Sequence, residues 1–206
     1  MKTFAIGHFG LGYLLGTAIS KITKTKINLA LIFTVSVLPD LDILFPNYLT
    51  HRGPTHSLLF SLLVFAPFFV IYRKKAFPYF FALISHSLIG DIYGPIRGIQ
   101  LFWPFSTNWI TFANISNLSL INISFELSLF TLSTLIIFLT KDFQKSFFHN
   151  SNRIYWLIPF GSILGPLLFG VKNTPYNLPL LLVIPSLFYL AIFSLPIMGI
   201  KRTKIT

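Results

Sequence analysis

Residues 118–139, LSLINISFELSLFTLSTLIIFL, form an apolar run that carries one charged residue, Glu126. A helix of about 20 residues crosses the hydrocarbon core of a bilayer, so this run predicts a transmembrane helix. Similar runs lie at about residues 3–20, 27–44, 57–72, 76–92, 154–171 and 178–198. The runs lack the alternation of a strand, and a backbone in lipid must satisfy its hydrogen bonds internally. We therefore predict an all-α, multi-pass transmembrane bundle of about seven helices, with one or both of the short third and fourth runs tilted or partly re-entrant.

The composition of the chain also indicates a lipid environment. Of its 206 residues, 54% are hydrophobic and 10% are charged, whereas a soluble domain usually carries about 25% charged residues. There is no Cys, which excludes disulfides and thiolate metal sites. We expect a single membrane domain over residues 1–206. Residues 1–110 form the half with the candidate metal site, and residues 111–206 form additional transmembrane helices.

The net charge of +11 predicts membrane orientation rather than nucleic-acid binding, because the basic residues stand in small groups between apolar runs. If all seven runs span, one side holds 12 of the 16 Lys and Arg residues: Lys21, Lys24, Lys26, Arg73, Lys74, Lys75, Lys141, Lys145, Arg153, Lys201, Arg202 and Lys204. The other side holds Lys2, Arg52, Arg97 and Lys172. By the positive-inside rule, we expect a cell-membrane protein with its N-terminus outside and its C-terminus in the cytoplasm.

Seven residues of metal-ligand type lie in four short pieces within the first 91 residues. The pieces are GHFG at 7–10, LPDLD at 38–42, HRGPTHS at 51–57 and HSLIGD at 86–91. The seven candidate ligands are His8, Asp40, Asp42, His51, His56, His86 and Asp91. The predicted topology places all of them on the outer side. Imidazole and carboxylate together suit Zn²⁺, Mn²⁺, Fe²⁺ or Ni²⁺. We expect a divalent metal ion, with Zn²⁺ as the first choice, and either two metals or one metal with outer carboxylates.

Three residues are the candidate catalytic set: Asp42, His56 and Arg52. Arg52 stands between the candidate ligands, and its planar fork suits phosphate or carboxylate. Arg97 is a weaker candidate of the same kind. Glu126 is an acid inside a predicted span, which indicates either a functional residue or a pair with a nearby polar group.

The four pieces, together with LFWPFS at 101–106, resemble the YdjM-like family of membrane-bound metal-dependent hydrolases. The resemblance covers about residues 5–106, and HRGPTHS is its most specific part. It implies metal-dependent hydrolysis at the membrane, with the His and Asp residues as metal ligands.

The fourth piece departs from the family pattern in its spacing. The family usually has four residues from His to Asp, whereas His86 and Asp91 are five apart. In a regular α-helix the extra residue would rotate Asp91 by about 100° away from the face of His86. Either a single-turn π-bulge near Gly90 absorbs it, or the helix ends before Gly90.

These patterns predict a membrane hydrolase that acts on a phosphate or acyl ester of a lipid-like substrate at the outer interface. The alternative is a metal or proton transporter or sensor that uses the same His and Asp cluster. We expect membrane lipid and a phosphate-containing or lipid-like substrate as partners, and no nucleic acid. The oligomeric state is left open.

Overall fold

The computed structural model describes residues 4–45, 47–93, 98–116, 118–142, 144, 153–169 and 178–198. Seven α-helices have described bounds: α1 (Ala5–Thr23), α2 (Leu29–Ser36), α3 (Leu58–Tyr72), α4 (Phe77–Ser85), α5 (Leu120–Leu139), α6 (Ile154–Phe169) and α7 (Leu180–Met198). Strand-like pairing in the described residues is limited to one bridge between Ile99 and Ile110. The predicted all-α fold is confirmed.

Two of the predicted runs are broken rather than continuous. After α2 the chain forms a 3₁₀-helix at Leu38–Leu44, and after α4 it forms a π-helix at His86–Asp91. Pro39 explains the first break, because it lacks an N–H and disfavours α-helical geometry at the residue before it. The eight residues of α2 extend for about 12 Å, which is far less than the roughly 30 Å of a hydrocarbon core.

Two helices, α5 and α7, are long and apolar enough to cross a membrane by length and composition. The apolar helix α6 falls just short of the usual length. The described part of the chain therefore contains fewer clear spans than the seven predicted. In the first half, α2, α3 and α4 are shorter than these three helices, whereas α1 has 19 residues and buries polar side chains such as that of His8.

The helix α1 lies at the centre and packs against α2, α4 and α5. Gly12 permits the close approach to α2, because a Cβ at this position would overlap the Ser36 side chain. Aromatic rings from four helices also pack together. Phe9 of α1 lies 5.3 Å from Phe33 of α2 and 5.4 Å from Tyr189 of α7, and Phe33 also contacts Trp156 of α6. These edge-on aromatic contacts join the two halves of the chain.

Candidate metal centre

The candidate ligands meet where the helices of the first half are interrupted. The 3₁₀-helix at Leu38–Leu44 carries Asp40 and Asp42, and a second 3₁₀-helix at Pro54–His56 carries His56. The π-helix carries His86 and Asp91. Short 3₁₀ and π-helical turns bring these side chains together because each turn aims its residues differently from a continuous α-helix.

Four donor atoms form an inner group. The Nε2 atoms of His56 and His86 are 3.1 Å apart. Asp91 Oδ2 lies 3.2 Å from the first and 3.6 Å from the second. Asp40 Oδ1 lies 3.6 Å and 3.5 Å from the same two nitrogens. Zn²⁺ with ligands at about 2.1 Å has tetrahedral edges of roughly 3.4 Å, so the group has the size of a zinc coordination shell.

The outer nitrogens of both imidazoles are occupied, which directs the Nε2 atoms inward. His86 Nδ1 is 2.7 Å from the carbonyl oxygen of Ser36. A carbonyl can only accept, so Nδ1 carries the hydrogen and a neutral ring presents an Nε2 lone pair. His56 Nδ1 lies 3.1 Å from Thr55 Oγ1 and 3.4 Å from Asp42 Oδ2. Both rings thus have the hydrogen-bonding arrangement that metal-bound histidines use.

The carboxylate of Asp42 is surrounded by donors. It accepts from the backbone N–H of Arg52 at 3.0 Å, from Thr55 Oγ1 at 2.9 Å and from His51 Nδ1 at 3.0 Å. Burial alone would raise the pKa of the Asp42 carboxyl, but hydrogen bonds from His51 and His56 outweigh burial and lower that pKa to about 2. Asp42 therefore stays ionised and holds the imidazole of His56 from behind the inner group.

A second group of potential ligands, Asp42, His51 and His56, lies beside the first. It shares His56 with the inner group but would use the opposite ring nitrogen. Its carboxylate already accepts three hydrogen bonds, which leaves fewer lone pairs for a cation. The geometry is therefore more favourable for one metal at the inner group than for one at each group.

Arg52 lies beside Asp91 of the inner group, and its backbone conformation is unusual. Its φ of 66° falls in the left-handed region, which non-glycine residues seldom adopt. Its Nη2 donates to Asp91 Oδ1 at 3.1 Å, and its residue is only 6% exposed. The guanidinium Nε is buried without a hydrogen-bond partner among the described residues. A buried donor of this kind has capacity for one further acceptor.

His8 of α1 supports the inner group from the side. Its ring stacks on that of His86, with centroids 3.6 Å apart and an interplanar angle of 11°. Its Nε2 is 3.8 Å from Asp91 Oδ1, which is too long for a direct hydrogen bond. His8 lies outside the four-atom group and forms one wall of it.

The π-helix accounts for the five-residue spacing of the fourth piece. Ile92 N donates to Ser87 O at 3.1 Å, which is the hydrogen bond of a π-helical turn. This wider turn keeps Asp91 directed at His56 and His86. The predicted π-bulge near Gly90 is confirmed, and the alternative of a helix ending before Gly90 is wrong.

The charges of the cluster match a single divalent cation. The carboxylates Asp40, Asp42 and Asp91 contribute three negative charges, and Arg52 contributes one positive charge. Burial opposes a charge on His56, yet hydrogen bonds to the carboxylates, Asp40 first, hold the pKa of its imidazole well above the usual value. Protons and a divalent cation would therefore compete for the same negative charge.

The YdjM inner membrane protein family model matches residues 1–203. The chain belongs to this family. The match extends the resemblance of the sequence motifs from residue 106 to nearly the whole chain, and it indicates a membrane location. Neither the curated proteins nor the solved structures gave a match.

Two contributors to this YdjM-family cluster were absent from the sequence prediction. Thr55 lies within the HRGPTHS piece and links Asp42 to His56, so its neighbours offered a signal. Ser36 contributes only a backbone carbonyl, and Pro39 three residues later was its one indirect signal. Arg97, the second candidate anion-binding residue, lies outside the described residues.

Proposed function

We propose that this YdjM-family protein is a membrane-bound hydrolase that depends on a divalent metal ion held by His56, His86, Asp40 and Asp91. The spacing of these four donor atoms is the observation that carries the proposal, because it suits Zn²⁺. A divalent metal ion would supply Lewis acidity and a water nucleophile at neutral pH. Asp42 and Thr55 would fix the ring of His56, and Ser36 would fix that of His86.

Asp40 defines the open side of the proposed centre. Its side chain is 23% exposed, whereas those of His56 and His86 are fully buried. A catalytic zinc would need a position for water or substrate, and the partly exposed Asp40 marks the side on which that position would open. Substrate would therefore approach from the Asp40 side.

Arg52 is the proposed group for the anionic part of the substrate. Its guanidinium uses Nη2 to contact Asp91 and retains the buried Nε as a donor. A planar guanidinium with a donor to spare suits an oxygen of a phosphate or a carboxylate. Asp91 would hold the guanidinium at a fixed distance from the metal ligands.

The proposed substrate is a phosphate or acyl ester of a lipid-like molecule. Exposed apolar side chains follow the aspartates directly: Leu44, Phe45 and Tyr48 are 69%, 53% and 87% exposed. Such a rim suits the boundary between headgroups and acyl chains, where amphipathic and aromatic side chains are favoured. We further propose a multi-pass topology with this rim and the centre at the outer face.

A vesicle assay tests the hydrolytic activity. Purified protein loaded with Zn²⁺ is incubated in vesicles with a panel of phospholipids and polyprenyl phosphates, and released phosphate and fatty acid are measured. We expect turnover of at least one class, its loss on chelation, and its loss in the Asp91→Asn, His56→Ala double variant. Asp142→Asn is the matched control, because Asp142 contacts Tyr13 rather than the cluster. Equal behaviour of wild type and double variant on every lipid, with full metal loading of the wild type, would refute hydrolysis.

Cysteine labelling tests the orientation, since the chain has no native Cys. Tyr48→Cys and Phe105→Cys place a thiol at exposed positions on the side of the cluster. Lys74→Cys places one in the basic turn after α3. An impermeant thiol reagent should label the first two in intact cells and leave the third unlabelled. The reverse pattern would move the centre to the cytoplasmic face.

The second candidate function is a metal sensor or transporter. Four protein ligands can close a zinc shell, which is typical of sites that hold a metal without catalysis. Tight binding with no turnover on any lipid would favour this function. Metal-dependent transport across proteoliposomes would then separate a transporter from a sensor.

A further inference from the structure

Glu126 of α5 is fully buried and contacts the start of α1. Its Oε1 accepts a hydrogen bond of 2.9 Å from the backbone N–H of Phe4, the N-cap residue of α1. The carboxylate also lies directly against Gly7. The helix α1 has no side-chain cap of its own at this end. Glu126 therefore serves as a cap that comes from a different helix.

Elementary helix chemistry explains why a carboxylate is used here. The first N–H groups of a helix have no partner within the helix, and the helix dipole places positive charge at the same end. A carboxylate oxygen buried here accepts from one of these N–H groups and also lies at the positive end of the dipole. The contact also requires Gly7, because a Cβ on this residue would overlap the Glu126 carboxylate. This fit fixes the position of α1 along α5 and the rotation of α1 about its own axis.

The residue after Gly7 is His8, which packs against the inner group. A shift of α1 along α5 would change the stacking of His8 on His86 and the 3.8 Å approach to Asp91. The chain of contacts thus runs from α5 through the start of α1 to two of the four proposed ligands. This order of contacts links α5 to the centre through α1.

We propose that Glu126 is a positioning residue for the metal centre, acting through α1 and His8. The inference rests on the proposed metal site, but not on hydrolysis. Glu126 would contribute to metal affinity without touching the metal. Partners that orient ligands in this way typically contribute 10–100-fold in affinity.

A double-mutant cycle tests this route. Metal affinity is measured by chelator competition for the full-length protein and for Glu126→Ala, His8→Ala and the double variant. Visible spectra of the Co²⁺ forms report the ligand geometry. We expect each single variant to weaken binding roughly 10-fold or more, and the double variant to be no weaker than His8→Ala. Glu126→Gln should restore most of the affinity and the Co²⁺ spectrum, since its amide oxygen still accepts from Phe4.

Two further variants keep the proposal falsifiable. Ser133→Ala is the matched control on α5, because Ser133 contacts Tyr189 of α7 and should affect metal affinity little. Gly7→Ala displaces the carboxylate without removing it, so it should also weaken metal binding. It tests the same route if Glu126→Ala does not fold. Additive effects in the cycle, no rescue by Glu126→Gln, or an equal loss in Ser133→Ala would overturn the proposal. Metal binding without turnover would refute hydrolysis and leave this inference intact.

Discussion

The two halves of the molecule bury polar groups in different surroundings. In the first half, α2 and α4 end early, and polar groups of the turns that follow bond across elements, as the Asp42 carboxylate does when it accepts from the backbone N–H of Arg52. In the second half, the helices α5 and α7 run continuously; the Ser186 hydroxyl bonds back to Leu182 O within its helix, and Glu126 bonds to the start of α1. The first arrangement produces a site, and the second produces a scaffold.

Proline does not always end a helix in this molecule. Pro39 coincides with the end of α2, whereas Pro67 lies inside α3 and Pro185 and Pro196 lie inside α7, and both helices continue through them. Helices packed among apolar neighbours tolerate proline when nearby groups take up the freed backbone carbonyls. Pro39 differs in the residues that follow it, since there the chain turns toward a cluster of charged side chains.

The largest effect is expected from removing an inner ligand. Asp91→Asn takes one donor from the four-atom group and leaves Arg52 buried without its counter-charge. Metal affinity should fall by more than the roughly 100-fold that outer partners contribute. Chelator competition and elemental analysis check this, with Asp142→Asn as the control. Unchanged metal content would show that Asp91 is not a ligand, and it would count against a metal site in the first half.

A smaller effect is expected at the residue behind the inner group. Asp42→Asn keeps the shape but replaces one acceptor oxygen by a donor that faces the N–H of Arg52 or the ring of His51. We expect a 10–100-fold loss of metal affinity, because the ring of His56 loses its orienting charge. The same competition assay applies. A loss as large as that of Asp91→Asn would instead make Asp42 a direct ligand.

A change in packing within the first half should act mainly on stability. Gly12→Ala places a methyl group against Ser36, on the helix whose end carries the carbonyl partner of His86. Overpacking of this kind costs about 1–3 kcal/mol, which thermal unfolding in detergent can measure. Added metal should stabilise the variant and the wild type to the same extent. An unchanged unfolding temperature would mean that α2 can move freely against α1.

The smallest effect is expected in the second half. Gly161 of α6 has open space where a Cβ would lie. Gly161→Ala should leave metal affinity unchanged and raise stability by up to about 1 kcal/mol, because alanine is the better helix former. Unfolding and competition assays on the same preparation check both expectations. A loss of metal affinity here would show that the scaffold is coupled to the site through α6.

The sequence was informative about chemistry and less so about helix boundaries. The all-α class followed from the apolar runs, and the single extra residue between His86 and Asp91 gave the π-helical turn as one of two alternatives. The division of labour between Asp40 and Asp42 could not be predicted. Both precede the same kind of residue, and only the tertiary contacts of Thr55 and His51 distinguish them.

The number of spans was harder to predict for a related reason. Apolar composition predicts that a segment avoids water, but it does not distinguish lipid from the interior of the protein. The helix α1 illustrates this, because residues such as Phe9 and Tyr13 are completely buried by neighbouring helices. Its glycines indicate close helix packing, which lipid-facing segments do not need. The run of residues was predicted, whereas its surroundings were not.

The early end of α2 has a consequence for anyone who would engineer a hardier protein. Pro39 has no N–H to offer the carbonyl of Ser36, and the N–H of Asp40 bonds to Val37 instead. The carbonyl is therefore available to His86. Replacing Pro39 with a good helix former would look like a routine thermostabilising step. It would let α2 use that carbonyl in its own hydrogen bonding and leave the His86 imidazole free to rotate. The variant would then gain stability and lose metal affinity.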